Sequence, residues 1–199
     1  MTQAEAKPDG LGGNGSGFNS AVISPASPGE WLQICSQFAS IPPWTTLGLR
    51  ADELHHSLTI DPRRCMLKMA NPGDDKVIAA AIVRQSCAAE LLYFRGFGAA
   101  IARRFSLQNS DDWTCAPEAG YIASLAVFDA QTGRGLGTQM LLAVHDFLRQ
   151  QNQHSVFLTV SDFNRNARRF YERHGYEFLG AVDNCIRPGN RENLMYRHL

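Results

Sequence analysis

The strongest constraint on the fold is a strand, a helix and a second strand that follow one another between Tyr121 and Val160. YIASLAVF, residues 121–128, is a short apolar run with β-branched and aromatic side chains, which is typical of a buried strand, and SVFLTV, residues 155–160, has the same character. From Gly135 to Gln150 the apolar residues recur on one helical stripe: Leu136, Met140, Leu141, Val144, Phe147 and Leu148. Because such a crossover joins parallel neighbours, the unit predicts a parallel pair within a sheet.

The segments on either side of this unit predict antiparallel pairing and further helices. Arg64 to Ala70 and Val77 to Arg84 read as strands, and the NPGDD cluster between them favours a hairpin. Further helices are expected at 29–38, at 51–58 and from Asn164 to a cap at Gly175, and further strands at 176–182 and 193–197. The sequence therefore predicts an α/β (α+β) domain with a mixed, mostly antiparallel sheet flanked by helices.

Two segments stand apart from this pattern. Residues 1–28 are rich in Gly, Ser, Pro and Asn, which predicts a flexible tail ahead of one domain at 29–199. Residues 87–118 separate the Val77–Arg84 strand from Tyr121, and within them Tyr93, Phe97, Ile101 and Phe105 recur at helical spacing. A helix in this segment has three open roles: it could cover the mouth of a binding site, form a homodimer face, or extend the core.

Composition excludes several classes of function. Lys and Arg balance Asp and Glu at 19 each, so no positive field would recruit nucleic acid or an anionic membrane, and no apolar run is long enough to cross a bilayer. The five cysteines are scattered, with no CxxC pair and no clustered histidines, so we expect a reduced cytoplasmic location and no metal site.

The loop TGRGLGT, Thr132 to Thr138, carries the most chemical information. Its alternate glycines, Gly133, Gly135 and Gly137, free the backbone and remove Cβ atoms that would keep a ligand from the amide groups. Because the loop opens into a helix, its amides suit a phosphate or pyrophosphate. No Gly-Lys-Ser/Thr tripeptide is present, and Thr138 and Met140 stand where a GxGxxG fingerprint needs its last glycine.

In two stretches the sequence resembles the GNAT N-acetyltransferase superfamily. Gly135 and Gly137 match the glycines of that family's pyrophosphate-loop pattern, Arg/Gln-x-x-Gly-x-Gly/Ala, although its first position falls on Thr132. The later stretch SDFNRNARRFYERHGYEFLG matches the family's Asn-x-x-Ala-x-x-Phe-Tyr…Gly-Tyr/Phe pattern at Asn164, Ala167, Tyr171, Gly175 and Tyr176. The resemblance extends from about Arg64 to the C-terminus, apart from residues 87–118, which are an insertion relative to the family.

The resemblance implies a cleft for acetyl-CoA, the cosubstrate, between splayed central strands. The pantetheine arm is expected to pair with the backbone of Leu125, Ala126 and Val127, and Asn164 to hold either the pantetheine or the helix start. The pyrophosphate is expected to lie against Gly133, Arg134, Gly135, Leu136, Gly137 and Thr138. The implied activity is acetyl transfer to a primary amine of a small molecule, a peptide or a protein, and a non-catalytic acyl-CoA-binding module is the alternative.

The same resemblance suggests catalytic groups but leaves the general base open. Tyr171 stands at the family's tyrosine position and is expected to donate a proton or hydrogen bond to the leaving thiolate. The backbone N–H of Val127 or Ala126 is the expected oxyanion donor. Many relatives place a glutamate in the strand before the loop or in the following strand, but the corresponding positions here are close to Ser124 and Thr159, and neither side chain can act as that base. The remaining candidates are Glu118, Asp162, His154 and His174, whereas His145, close to the apolar stripe, reads as a packed histidine.

Overall fold

A computed structural model describes residues 21–85, 119–128, 135–184 and 186–199. The described strands form one seven-stranded sheet in the order β1-β2-β3-β4-β5-β7-β6, in which β4 and β5 run parallel and every other neighbouring pair is antiparallel. The strands are β1 (Val22–Pro25), β2 (Arg64–Ala70), β3 (Val77–Arg84), β4 (Gly120–Val127), β5 (Ser155–Ser161), β6 (Glu177–Asp183) and β7 (Arg191–His198). The helices are α1 (Pro28–Ala39), α2 (Ala51–Thr59), α3 (Leu136–Gln150) and α4 (Arg165–Arg173). The predicted fold class is confirmed.

The expected tail needs a correction at its C-terminal end. Val22–Pro25 form an edge strand that pairs antiparallel with β2, from Val22 opposite Ala70 to Pro25 opposite Leu67. The ordered chain therefore begins before Gly29. Residues 1–20 and the inserted segment lie outside the described residues, so their expected roles, including the homodimer face, stay predictions.

Local signals position the helices. Pro28 opens α1, and the Glu30 carboxylate accepts hydrogen bonds from the backbone N–H and the hydroxyl of Ser27, both at 2.8 Å. At α4 the side-chain oxygen of Asn164 accepts from the amide of Ala167 at 3.2 Å. These caps fix where α1 starts over one face of the sheet and where α4 starts over the other.

The sheet is packed on both faces. Phe38 of α1, Leu58 of α2 and Trp44 cover one face, against Met66, Ala80, Ile82 and Ala126 among others. On the opposite face α3 contributes Met140, Leu141, Val144 and Leu148, and α4 contributes Tyr171. Among the described helices, none has the length and apolarity that a membrane span requires. The cytoplasmic location stays a prediction.

The parallel pair at the centre is short. β4 and β5 are paired at Gly120–Val156, Tyr121–Phe157 and Ile122–Leu158, and the pairing ends there. Beyond that point β4 continues beside β3 as far as Val127, while β5 continues beside β7 as far as Ser161. An extra residue, Ala123, interrupts the β3–β4 register at the point of divergence, and such bulges bend a strand. The two central strands are therefore splayed, as the resemblance implies.

Gly120 sets how closely α3 approaches β4. A Cβ atom built on Gly120 would lie 2.3 and 2.8 Å from the two Cδ atoms of Leu148 and 3.1 Å from its Cγ. The Leu148 side chain is fully buried, so it has no free space into which to move. Replacing Gly120 by alanine is expected to lower the free energy of unfolding by about 1–3 kcal/mol, the usual cost of overpacking.

Urea unfolding of the Gly120→Ala variant measures this cost. Gly29→Ala is the matched control, because nothing lies within 4 Å of the added Cβ and the position is in helix α1. That control is expected to be neutral or slightly stabilising. Equal stabilities for the two variants would contradict the close-contact interpretation of Gly120.

Candidate active site

A cleft of about 450 Å³ passes through the sheet where β4 and β5 diverge. On one side of the sheet it is lined by the α1–α2 connection, including Trp44, and by α2. On the other side it reaches Asn164, Ala167 and Tyr171 at the α4 layer. The cleft thus connects the two faces of the sheet, and backbone from both splayed strands lines its walls.

The predicted pantetheine strand lies along this cleft. Leu125, Ala126 and Val127 all line it, and all lie beyond the last residue pair between β4 and β5. Their opposite edge is hydrogen-bonded to β3, where they face Ala81, Ala80 and Ala79 in turn. The edge toward β5 is consequently available for an extended ligand to pair as an added strand.

Gly135 begins α3 in the left-handed conformation, with φ of +75° and ψ of 8°. Nothing lies within 4 Å of a Cβ built there, so backbone conformation, not space, favours glycine at this position. Gln139 is the first residue whose amide bonds back within the helix, to the Gly135 carbonyl at 3.0 Å. The amides of Leu136, Gly137 and Thr138 are therefore the ones that helix geometry leaves for an anion.

The other loop residues have different surroundings. Gly137 lies inside α3, where an added Cβ would meet the Phe170 ring at 3.6 Å, an ordinary contact, so its conformation does not require glycine. The Thr138 hydroxyl is hydrogen-bonded to His174 Nε2 at 3.0 Å and ties α3 to the end of α4. The contribution expected from Thr138 is thus limited to its amide. Gly133 and Arg134 lie outside the described residues.

Tyr171 projects from α4 into the cleft lining with only 7% of its surface exposed. Its ring packs edge-on against Tyr176, with 5.3 Å between ring centroids, and against Phe170 at 5.2 Å. Burial raises the pKa of the phenol well above its ordinary value, so Tyr171 keeps its proton across the working pH range. Asn164 caps α4 two turns earlier, which confirms its expected helix-start role.

Hydrogen bonds order the face of the cleft that adjoins α1 and α2. The Trp44 indole N–H donates to Ser124 Oγ at 3.2 Å. The hydroxyls of Tyr121 and Thr159 share a hydrogen bond of 3.1 Å across the base of the gap between β4 and β5. Ser124 and Thr159, the positions without a glutamate, are therefore engaged with neighbours on this wall.

An ion pair spans the outer part of the same face. Arg187, in the connection between β6 and β7, contacts both Glu53 carboxylate oxygens, at 2.7 and 2.8 Å. Its Nε–H also donates to the Leu47 carbonyl at 3.3 Å. Because Glu53 and Leu47 line the cleft, this pair joins the β6–β7 connection to the wall that α2 forms.

None of the described base candidates is placed for proton transfer in the cleft. His154 precedes the opposite end of β5 and is exposed, and His174 is held by Thr138 and by the Phe170 carbonyl at 2.7 Å. Asp162 is exposed and accepts from the Asn193 amide at 3.3 Å. None of these three lines the cleft. Glu118 lies outside the described residues.

His145 is a packed histidine, as predicted. It is fully buried, and its Nε2 lies 2.8 Å from the Tyr176 hydroxyl in a hydrogen bond. Burial, with lesser contributions from Arg197 and Arg149, lowers the pKa of His145 to about 4, so its ring is neutral at physiological pH.

Glu192 is the acidic residue of the cleft that sequence reasoning missed. It lies on β7, lines the cleft, has 1% of its surface exposed, and accepts a hydrogen bond of 2.6 Å from Ser161 Oγ. Burial raises the pKa of its carboxyl to about 7, against the opposing effect of the Ser161 hydrogen bond. The predicted strand began at Asn193 and left Glu192 out. Its only sequence signal is a carboxylate two residues before the apolar run LMY.

The described residues include no group of three or more His, Cys, Asp or Glu side chains that could hold a metal ion.

Comparisons with known proteins agree with this geometry. No curated protein matches the chain. Among solved structures, Arabidopsis thaliana NAA60 in complex with acetyl-CoA is similar, with a TM-score of 0.65 at 15% identity over 90% of this chain and 99% of that one. Arabidopsis thaliana Naa50 with the bisubstrate analogue CoA-Ac-MVNAL gives 0.60 at 16% identity, over 90% and 99% of the two chains.

A bacterial structure adds a third likeness. The ribosomal-protein-S18-alanine N-acetyltransferase from Escherichia coli has a TM-score of 0.59 at 16% identity, over 89% of this chain and 93% of that one. At these identities the likeness concerns the fold. The family model for the acetyltransferase (GNAT) family matches residues 31–176, and the chain belongs to that family.

Proposed function

We propose that this protein is an N-acetyltransferase that moves an acetyl group from acetyl-CoA to a primary amine. The observation that carries the proposal is the cleft at the divergence of β4 and β5, which runs through the sheet and has a buried phenol at one face and a buried carboxyl at the other. A transferase needs a cleft of this kind, because donor and acceptor must meet inside it with acid and base groups at hand.

The described residues fit acetyl-CoA. The pantetheine arm is assigned to the backbone edge of Leu125, Ala126 and Val127, which β5 leaves open. The pyrophosphate is assigned to the amides of Leu136, Gly137 and Thr138, where the partial positive charge at the start of α3 favours an anion. Gly133 and Arg134 complete that assignment from the sequence.

When bound, acetyl-CoA supplies a thioester: the amine nitrogen bonds to its carbonyl carbon, and the carbon–sulfur bond breaks with its electron pair going to sulfur. Tyr171 is assigned to donate a hydrogen bond or proton to the departing sulfur, so that CoA leaves as the thiol. The amide N–H of Ala126 or Val127 is assigned to the carbonyl oxygen as negative charge develops there. The proton that the amine loses must pass to a base of the cleft.

The acceptor is proposed to be a small-molecule amine or the N-terminal amine of a peptide or protein. Support for a peptide comes from the similarity to Naa50, whose structure holds a CoA–peptide analogue, and to an enzyme named for the alanine of a ribosomal protein. The α1–α2 side of the cleft combines apolar side chains such as Leu49 and Leu54 with Glu53 and Glu192, which suits an amine on an apolar carrier.

One observation favours a second candidate, a non-catalytic acyl-CoA-binding module. The resemblance implies a glutamate close to the strand positions of Ser124 and Thr159, and neither of these side chains is a base at neutral pH. Product formation separates the two functions. Acetyl-CoA is incubated with primary amines such as spermidine and tyramine and with short peptides that begin with Ala or Met, and CoA and the acetylated acceptor are quantified by chromatography. A binding module would hold acetyl-CoA without forming either product.

We predict that Gly135→Val weakens acetyl-CoA binding at least tenfold. A β-branched residue opposes the left-handed φ of +75°, at a cost of order 1–3 kcal/mol, and moves the amides at the start of α3. Isothermal titration calorimetry with acetyl-CoA measures the effect. An unchanged affinity in a folded variant would reject the phosphate-loop assignment.

Gly137→Ala is the matched control for that experiment. Position 137 is helical and an added methyl meets only ordinary contacts, so binding is expected to persist and stability to stay level or rise slightly. If both variants lost acetyl-CoA equally, the conformational explanation at Gly135 would be wrong.

We predict that Tyr171→Phe lowers kcat by about 100-fold, the low end of the usual general-acid contribution, with little change in acetyl-CoA affinity. The ring that packs on Tyr176 and Phe170 is retained, and only the donor is lost. The measurement is kcat across pH for both proteins, with calorimetry for binding. Matching rates throughout would leave Tyr171 as a packing residue.

A further inference from the structure

Glu192 is the only carboxylate among the described residues that both lines the cleft and is fully buried. Glu53, the other described carboxylate in the lining, is partly exposed and bound by Arg187. Such burial is costly for a carboxyl group whose only described hydrogen bond comes from one serine. A position with that cost invites a functional explanation.

We propose that Glu192 is the general base that takes the proton from the acceptor amine, a role that rests on the acetyl transfer proposed above. It deepens that proposal by assigning the proton acceptor that the strand positions Ser124 and Thr159 do not supply.

The sheet register places Glu192 on the side of the sheet opposite Tyr171. On β5, Val156, Leu158 and Val160 face the α3–α4 layer together with Tyr171, so Ser161, two positions along from Thr159, faces the α1–α2 layer. Glu192 is opposite Ser161 in the β5–β7 pair, and their side chains are hydrogen-bonded at 2.6 Å. The carboxyl therefore lies on the α1–α2 side of the sheet.

This placement separates the two proton transfers. A thioester held along β4 between the layers would have the Tyr171 phenol on its α4 side and the Glu192 carboxyl on the side from which an amine enters. The acceptor ammonium gives a proton to Glu192, directly or across one water, and the nitrogen lone pair then forms the bond to the carbonyl carbon. As the carbon–sulfur bond breaks, the nitrogen loses its second proton to solvent, and Tyr171 regains from solvent the proton that it gave to the sulfur. The base returns the proton to solvent after the products leave.

The electrostatic surroundings suit a base that works near neutrality. Burial raises the pKa of the Glu192 carboxyl to about 7, and the Ser161 hydrogen bond acts in the opposite direction. A base of this strength is largely ionised above neutrality and accepts a proton better than an ordinary exposed glutamate. The titratable or charged groups that line the cleft with it are Glu53, Arg64, Tyr121 and Tyr171. Those near it along the neighbouring chain segments are Asp162 directly after β5, Asp183 on β6 and Arg191 on β7.

The central test is Glu192→Gln, which preserves size and can still accept a hydrogen bond from Ser161. With the acceptor that reacts fastest in the amine and peptide panel, kcat/KM is expected to fall by about 10²–10³-fold, while acetyl-CoA affinity stays within about twofold. The wild-type kcat/KM should rise with pH through about 7, as the carboxyl loses its proton, and this rise should be absent from the variant. Glu177→Gln, the same change at an exposed position on β6, is the control and should match wild type.

Ser161→Ala provides a second readout that a merely structural role would not move. Removing the hydrogen bond takes away a contribution that lowers the Glu192 pKa, so the rise of kcat/KM should shift to higher pH while the plateau is kept. A profile that stays in place would count against Glu192 as the titrating base, even if Glu192→Gln proved unable to fold.

A measurement without turnover keeps this inference apart from the proposed function. Because the folded carboxyl pKa is about 7, against an ordinary value of 4.5, stability relative to Glu192→Gln is greatest below about pH 4.5 and is lost as the pH rises through about 7. Urea unfolding across this range tests the buried titration in the free protein. If it is absent, the base assignment is overturned.

The remaining outcomes are separable. Wild-type turnover with an unchanged rate and pH profile in Glu192→Gln would overturn the base assignment and leave the transferase function standing. Acetyl-CoA binding with no product from any amine would overturn the transferase function and the base assignment together.

Discussion

The divergence of β4 from β5 after Ile122 and Leu158 is the constraint on which the site depends. Each strand keeps a full antiparallel partner on its outer side, β3 for β4 and β7 for β5, so their separation sacrifices hydrogen bonds along one edge only. The facing edges become the walls of a cleft that reaches both faces of the sheet. Side chains from the helical layers on both faces of the sheet thereby line one cleft.

The layers on the two faces of the sheet are packed on separate hydrophobic clusters. The α3–α4 layer lies on a cluster that includes Met140, Leu141 and Val144, and the α1–α2 layer on one that includes Phe38 and Trp44. Tyr121 and Thr159 form a hydrogen bond across the gap between β4 and β5, and this bond gives both hydroxyls a partner. Hydrophobic burial thus stabilises the two layers, and the cleft lies between them.

Sequence reasoning worked where local chemistry fixes the structure. The NPGDD turn gave the bounds of β2 and β3, and the apolar stripe gave α3 and the buried state of His145. The glycine spacing predicted special backbone at Gly133, Gly135 and Gly137, and of the two that the structure describes only Gly135 is left-handed. It failed for β1, because four residues of an edge strand within a Ser- and Pro-rich segment carry no clear alternation. Glu192 was missed because its significance comes from tertiary burial beside Ser161, 31 residues earlier in the chain.

The ion pair between Glu53 and Arg187 joins α2 to the β6–β7 connection beside the cleft. Both side chains are about one-third exposed, and pairs of this kind stabilise proteins weakly and are screened by salt. The cleft-lining side chain of Glu53 on α2 is thus held by Arg187 between β6 and β7, whereas the wall along β4 is strand backbone. Under the proposed function, substitutions at residues 53 and 187 would change the α2 side of the cleft, where the acceptor is assigned, and leave the backbone edge of Leu125, Ala126 and Val127 unchanged.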